Sequence, residues 1–171
     1  MGDAVTADDT TTTASFDGWY RKQHRRVLAL LTVASGDADV AAEITAEAFT
    51  RALERWDRVS AMDSPAAWTY RVAVNLLRRR LRRAAVEQRL WSRAVEPARP
   101  AAVEPDLWDA VRALPARQRT AIALRYVCDL PQAEIAEVMD VAAGTVSATL
   151  TVARRRLAAV LGEPGPLEVG L

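Results

Sequence analysis

The sequence predicts an all-α fold of two small helical domains joined by a flexible linker. Three observations carry this reading. Apolar residues recur at three- and four-residue steps through both halves of the chain. Helix-starting and helix-stopping residues stand at the ends of those runs. A proline-containing stretch without an apolar stripe separates the halves. At 171 residues, half of them hydrophobic, the chain suits one domain or two small ones with packed cores.

Residues 1–15, MGDAVTADDTTTTAS, are polar, low in complexity and without periodicity, and read as a disordered tail. From Phe16 a helical stripe runs through Trp19, Tyr20, Val27, Leu30, Leu31 and Ala34 until Gly36 stops it. A second helix is expected from about Asp37 to Asp57, with Ala41, Ile44, Ala48, Ala52 and Trp56 along one face. DSPAAW opens a third, Ser64 serving as N-cap and Pro65 as the first helical residue. Residues 85–104 are expected to form the linker, or a helix that frays into one. Residues 105–161 divide at Pro115 and Pro131 into four helices, and 162–171 form a second tail. Neither domain, 16–84 or 105–161, is large enough to be generously stable alone, so docking on a partner would help both.

The net charge of +1 hides a segregation. From Arg71 to Arg93 eight arginines stand against Glu87, a local net of +7. From Asp37 to Asp63 seven acids face three arginines, a local net of −4. Two surfaces with different partners follow, one of them suited to nucleic acid. Lys22 is the only lysine, a bias that a GC-rich coding sequence would produce without functional pressure. A single cysteine, Cys128, excludes an internal disulfide, and its apolar surroundings predict burial. The single histidine, His24, lies between basic residues on an expected surface. A metal site or a histidine-dependent triad would need partners this composition hardly supplies, so no cofactor or metal is expected. No apolar run approaches the roughly 20 residues of a membrane span, the N-terminus has no signal-peptide core, and the expected address is the cytoplasm.

The third helix repays placement on a wheel. Measured from Trp68, the positions Arg71, Asn75, Arg78, Arg79 and Arg82 fall in one arc of roughly 100°. Tyr70, Ala73, Val74, Leu76, Leu77 and Leu81 take the other side. A solvated face is the bland reading of such a stripe. Solvated faces usually mix signs, however, and this one has no acid. Arginines for phosphates, Trp68 for stacking and Asn75 for a base edge suit a nucleic-acid strand.

The stretch PQAEIAEVMDVAAGTVSATLTVARRRL, residues 131–157, has helix-turn-helix spacing. A first helix is expected from Gln132 to Met139, a turn at Asp140–Val141, and a second helix from about Gly144. Val146, Leu150, Ala153 and Leu157 form its buried stripe, with Ser147, Thr151, Arg154 and Arg155 pointing away. Both a DNA reader and a packing-only hairpin fit this pattern.

AAEITAEAFTRALERW, SPAAWTYRVAVNLLRRRLRR and ALPARQRTAIALRYVCDLPQAEIAEVMDVAAGTVSATLTVARRRL follow one another in this order. The ordered trio resembles the extracytoplasmic-function (ECF) sigma factors of the sigma-70 family, over about residues 15–161. The resemblance implies a region 2 domain at 16–84 and a region 4 helix-turn-helix domain at 105–161. It implies RNA polymerase core and promoter DNA as partners, with region 2 melting the −10 element and region 4 contacting the −35 element, and it leaves a place for an anti-sigma factor. Carried over residue by residue, Trp68, Arg71, Asn75, Arg78, Arg79 and Arg82 would handle the melted −10 strand. Ser147, Thr149, Thr151, Arg154 and Arg155 would face the −35 element, and Glu43 and Glu47 would dock on the polymerase clamp helices. Four positions depart from the family pattern: Ala46 stands for an expected Gln, Ala142 for a capping residue, and Ser147 and Thr149 for basic residues.

The function expected is that of a non-enzymatic promoter-specificity factor. A stand-alone helix-turn-helix regulator is the runner-up, and the basic, Trp-led third helix counts against it. A sigma-like docking protein with weak DNA binding is a third reading, favoured by the charge-poor recognition helix. An enzyme is least expected, because no Gly-rich loop or metal-ligand cluster stands beside the paired carboxylates.

Overall fold

The computed structural model describes the backbone of residues 6–91 and 106–162 and the side chains of residues 16–87 and 106–162. These form eight helices: α1 (Thr6–Ser35), α2 (Ala38–Leu53), α3 (Trp56–Ser60), α4 (Pro65–Trp91), α5 (Leu107–Ala113), α6 (Ala116–Tyr126), α7 (Gln132–Met139) and α8 (Ala143–Leu161). Most of the expected linker and of the C-terminal tail lies outside the described residues.

Helix α1 starts at Thr6, not at Phe16, so most of the expected N-terminal tail is helical. Packing fixes the turns around Phe16, and each residue added upstream then gains a hydrogen bond without a new nucleation cost. The threonine run opposes this by only tenths of a kcal/mol per residue. Gly36, at φ +76°, ends α1 as expected. Asp37 then caps α2, its carboxylate accepting from the amides of Asp39 (2.9 Å) and Val40 (3.0 Å).

The second helix does not continue to Asp57. It stops at Leu53, and Arg55 leaves helical geometry at φ −126°, ψ 24°. The break re-aims Trp56, which is buried with its ring 5.2 Å from Phe16 and 4.8 Å from Trp19. Tyr20 and Phe49 join the same aromatic cluster at 4.8 Å from each other. His24 is half-buried beside them, 5.0 Å from Tyr20 and 5.8 Å from Phe49, which corrects its expected surface position. The apolar face of an imidazole packs on aromatic rings as readily as it faces water.

Ser64 caps α4 as anticipated, its hydroxyl accepting from the Ala67 amide at 3.1 Å. The helix runs on to Trp91, past the domain bound at residue 84 and into the stretch read as a linker or a fraying helix. Residues 79–90 are mostly Arg, Ala, Leu, Glu and Gln, all good helix formers, and no breaker intervenes.

Pro115 and Pro131 separate the last four helices where expected. Asp140 closes α7 in the left-handed region (φ 55°), a conformation Asp tolerates better than most residues, and its amide returns to the carbonyls of Ala136 and Glu137. Ala142 starts α8 without a side-chain cap.

Leu30, Leu31, Ile44 and Leu77 fill the core of the first half, and Leu124, Ile135, Val146 and Leu150 that of the second. Each such side chain contributes roughly 1.5–3 kcal/mol on full burial. The two cores are continuous: α1 packs on α6 and α4 on α7. Each half is therefore the other's docking partner.

Candidate nucleic-acid interface

Helix α4 buries Thr69, Tyr70, Ala73, Val74, Leu76 and Leu77, with Leu81 half-buried, so the face opposite is the expected stripe. Arg71, Arg79 and Arg82 are exposed; Trp68, Asn75 and Arg78 are half-buried. The stripe has two flanks. On the wheel Arg71, Arg78 and Arg82 lie roughly 40–80° from Trp68 on the side that turns toward Val74 and Leu81. These arginines border clefts whose other walls belong to α6, α7 and the turn after α7. Arg78 donates to the Met139 carbonyl at 2.5 Å, and Arg71 shares its cleft with Glu137 and Asp140. Trp68, Asn75 and Arg79 form the other flank.

On α2 the exposed acids Asp39, Glu43 and Glu47 repeat every fourth residue and so share one face. Glu47 pairs with Arg51 at 2.6 Å. Glu43 makes no ion pair among the described residues. Ala46 is exposed beside them.

The axes of α7 and α8 turn through 102°, within the range of helix-turn-helix pairs. Val146, Leu150 and Ala153 are buried and Leu157 is half-buried. Of the residues expected to face DNA, Ser147, Thr151 and Arg155 are exposed together. Thr149 is not with them. It is half-buried on the far side of the helix, and its hydroxyl donates to the Thr145 carbonyl at 2.7 Å. Arg154 is half-buried and turned aside, its Nε donating to the Tyr126 hydroxyl at 2.9 Å with the guanidinium 5.9 Å from that ring. Among the described residues there is no cluster of metal-ligating side chains, and no single helix is long and apolar enough to cross a membrane.

Residues 19–86 match the family model of sigma-70 region 2, and residues 105–157 match that of sigma-70 region 4. The chain belongs to the sigma-70 family, with the ECF pattern of region 2 followed by region 4. As a sigma factor it binds RNA polymerase core and promoter DNA and acts in transcription initiation. Sigma factors as a class are non-enzymatic. Its fold is similar to that of the sigma factor RpoE of Bartonella quintana in a co-crystal with the anti-sigma factor NepR, at a TM-score of 0.73 and 22% identity over 86% of this chain and 97% of that one. An RsbN–BldN complex matches at 26% identity over 93% of this chain and 100% of that one, with a TM-score of only 0.38. No curated protein sequence matches significantly.

The seam between regions 2 and 4 of this sigma factor holds residues the sequence reading passed over. Arg119 on α6 donates through Nε to the Ala34 carbonyl at the end of α1 (2.9 Å) and through a terminal nitrogen to the Arg112 carbonyl at the end of α5 (2.5 Å). Both acceptors are C-terminal helix carbonyls, where a cation is favoured. Burial lowers the Arg119 pKa. Tyr70 of α4 and Cys128 are both buried, and the Tyr70 hydroxyl donates to the Gln23 side-chain carbonyl of α1 at 3.5 Å. Burial pushes the Cys128 thiol up to about 11 and raises the Tyr70 phenol as well. Both groups are therefore neutral at physiological pH.

Proposed function

We propose that this sigma factor melts the −10 element through α4 and contacts the −35 element through the exposed face of α8. The observation that carries this reading is the acid-free face of α4, where Trp68, Asn75 and four arginines lie opposite a buried, mainly apolar one. Guanidinium groups hold phosphates, an indole stacks on an unpaired base, and an amide reads a base edge. On α8, Ser147, Thr151 and Arg155 offer two hydroxyls and one cation, so sequence reading there depends on hydroxyl and methyl contacts more than on charge. The acidic row of α2, with Glu43 and Glu47, suits a basic surface on polymerase. The factor supplies no catalytic group; the polymerase does the chemistry, in the cytoplasm.

An apolar groove walled by Val33, Leu107, Trp108, Tyr126 and Leu157 suits an anti-sigma factor. Leu107, Trp108 and Tyr126 are each about half exposed there.

The test is reconstitution with bacterial core polymerase. Promoter-specific transcripts and permanganate reactivity at the −10 region are expected. Trp68→Ala and Asn75→Ala should lower permanganate reactivity more than closed-complex binding. Stacking is worth about 1–3 kcal/mol per base, so the Trp68→Ala loss should be at least several-fold. Equal reactivity in variant and parent removes α4 from the melting step.

A further inference from the structure

We infer that α8 reads the −35 element through thymine methyl groups, with Ala148 and the methyl of Thr151 as the residues that set this specificity. The inference deepens the proposed contact of α8 with the −35 element and rests on it. Gly144, Ser147, Ala148, Thr151 and Arg155 are all exposed, and the helical period gathers them into one arc of roughly 100°. The stripe of Val146, Leu150, Ala153 and Leu157 lies on the other side. Ala148 and Arg155 point most directly away from it, at roughly 170° from its centre. An alanine brings no polar chemistry of its own, so only this position draws Ala148 into the site.

Elimination narrows what the face can recognise. Arg and Lys grip guanine, Asn and Gln grip adenine, and carboxylates accept from cytosine. None of these residue types occurs in the first three turns of α8, Ala143–Ala153. Arg155 stands about 10 Å further along the axis than Ala148, at the rise of 1.5 Å per residue, and serves a phosphate. The hydroxyls of Ser147 and Thr151 pair with donors and acceptors alike, so they do not choose among bases. The methyls of Ala148 and Thr151 remain. Thymine alone of the four bases carries a methyl on its major-groove edge, where alanine and threonine methyls meet it by apolar contact.

Gly144 is an independent observation on the same face. Its backbone is not in the left-handed region, and a β-carbon placed there would meet nothing within 4 Å. Glycine weakens a helix relative to alanine, and neither packing nor backbone geometry within the chain asks for one here. The room it leaves faces outward. Beside Ser147 and Ala148 it lets the helix backbone lie close to the base edges, which contact between methyl groups at about 4 Å requires. From Gly144 to Thr151 the face runs about 10 Å, roughly three base-pair steps at ~3.4 Å each.

The experiment uses holoenzyme reconstituted from the full chain and bacterial core polymerase. A promoter-length duplex pool, randomised over both elements, yields the preferred sequence. That duplex is then remade with deoxyuridine for thymidine across the −35 element, which removes the methyls and leaves every hydrogen-bonding group in place. Burying one carbon group of this size changes affinity about fourfold (about 0.8 kcal/mol). Closed-complex affinity should therefore fall about fourfold for one contacted thymine and more than about tenfold for two. Ala148→Gly and Thr151→Ser each remove one methyl; each should weaken binding to the thymine duplex about fourfold and shrink the uracil penalty. Thr151→Ser keeps the hydroxyl and carries the test if Ala148→Gly loses helical CD signal. Equal affinity for thymine and uracil duplexes overturns the inference, as does a uracil penalty that both variants leave intact. A pool that enriches a −35 sequence indifferent to uracil refutes methyl reading alone. A pool that enriches nothing at −35 refutes the reading of α8 itself, and the inference falls with it.

Discussion

Reversing charge on the acidic face of α2, by Glu43→Arg with Glu47→Arg, separates docking from folding. Both positions are exposed, and the one pair lost, Glu47 with Arg51, has side chains 47% and 36% exposed. A helical pair of this kind contributes about 0.3–0.5 kcal/mol, and like charges four residues apart cost a similar amount. The fold should therefore lose about 1 kcal/mol at most. Docking stands to lose far more. A charge-assisted hydrogen bond contributes about 1.5–3 kcal/mol. Taking the lower value for each of two exposed glutamates gives about 3 kcal/mol, on the order of a hundredfold in Kd. Fluorescence anisotropy with core polymerase measures the binding, and thermal melts followed by CD measure the fold. Core affinity within twofold of the parent, in a variant with a normal melt, would refute the docking role of this face.

Ala142→Ser should supply the cap that α8 lacks and stabilise the chain by about 0.5–2 kcal/mol in chemical denaturation. Ser147→Lys with Thr151→Lys places two cations on the exposed face of α8, and each phosphate they neutralise should steepen the slope of log K against log salt for duplex binding by about 0.9. An unchanged slope would mean that this face is turned away from DNA. The Cys128 thiol, raised from 9.0 to about 11, favours the folded state only while neutral, so its contribution is complete below pH 9 and is lost as pH rises toward 11. The raised Tyr70 phenol acts in the same direction at higher pH. Stability should fall between pH 9 and 11, and Cys128→Ala should flatten that fall in denaturation curves taken across the range.

Features governed by local chemistry were legible in the sequence. Ser64 and Pro65 announced the start of α4, and the helical period then assigned its two faces residue by residue. Pro115 and Pro131 divided region 4 correctly, and Ala142 was rightly read as a missing cap. Features that depend on a distant partner were not legible. Arg154 donates to the hydroxyl of Tyr126, 28 residues earlier, and nothing near it in sequence announces that contact. Thr149 joined the site by resemblance, although the helical period already placed it roughly opposite Ser147. The break at Glu54–Arg55 has no Gly or Pro to mark it; the aromatic cluster that receives Trp56 decides it. The seam left no periodic signal at all, since an arginine bound to a main-chain carbonyl looks like any other surface arginine.

That last point bears on how the seam can change over generations. The acceptors of Arg78 and Arg119 are the carbonyls of Met139, Ala34 and Arg112. Every residue type carries such a carbonyl, so substitutions at the acceptor positions leave the acceptor in place. Heritable variation in these ties is thus confined to the donor side, to two codons.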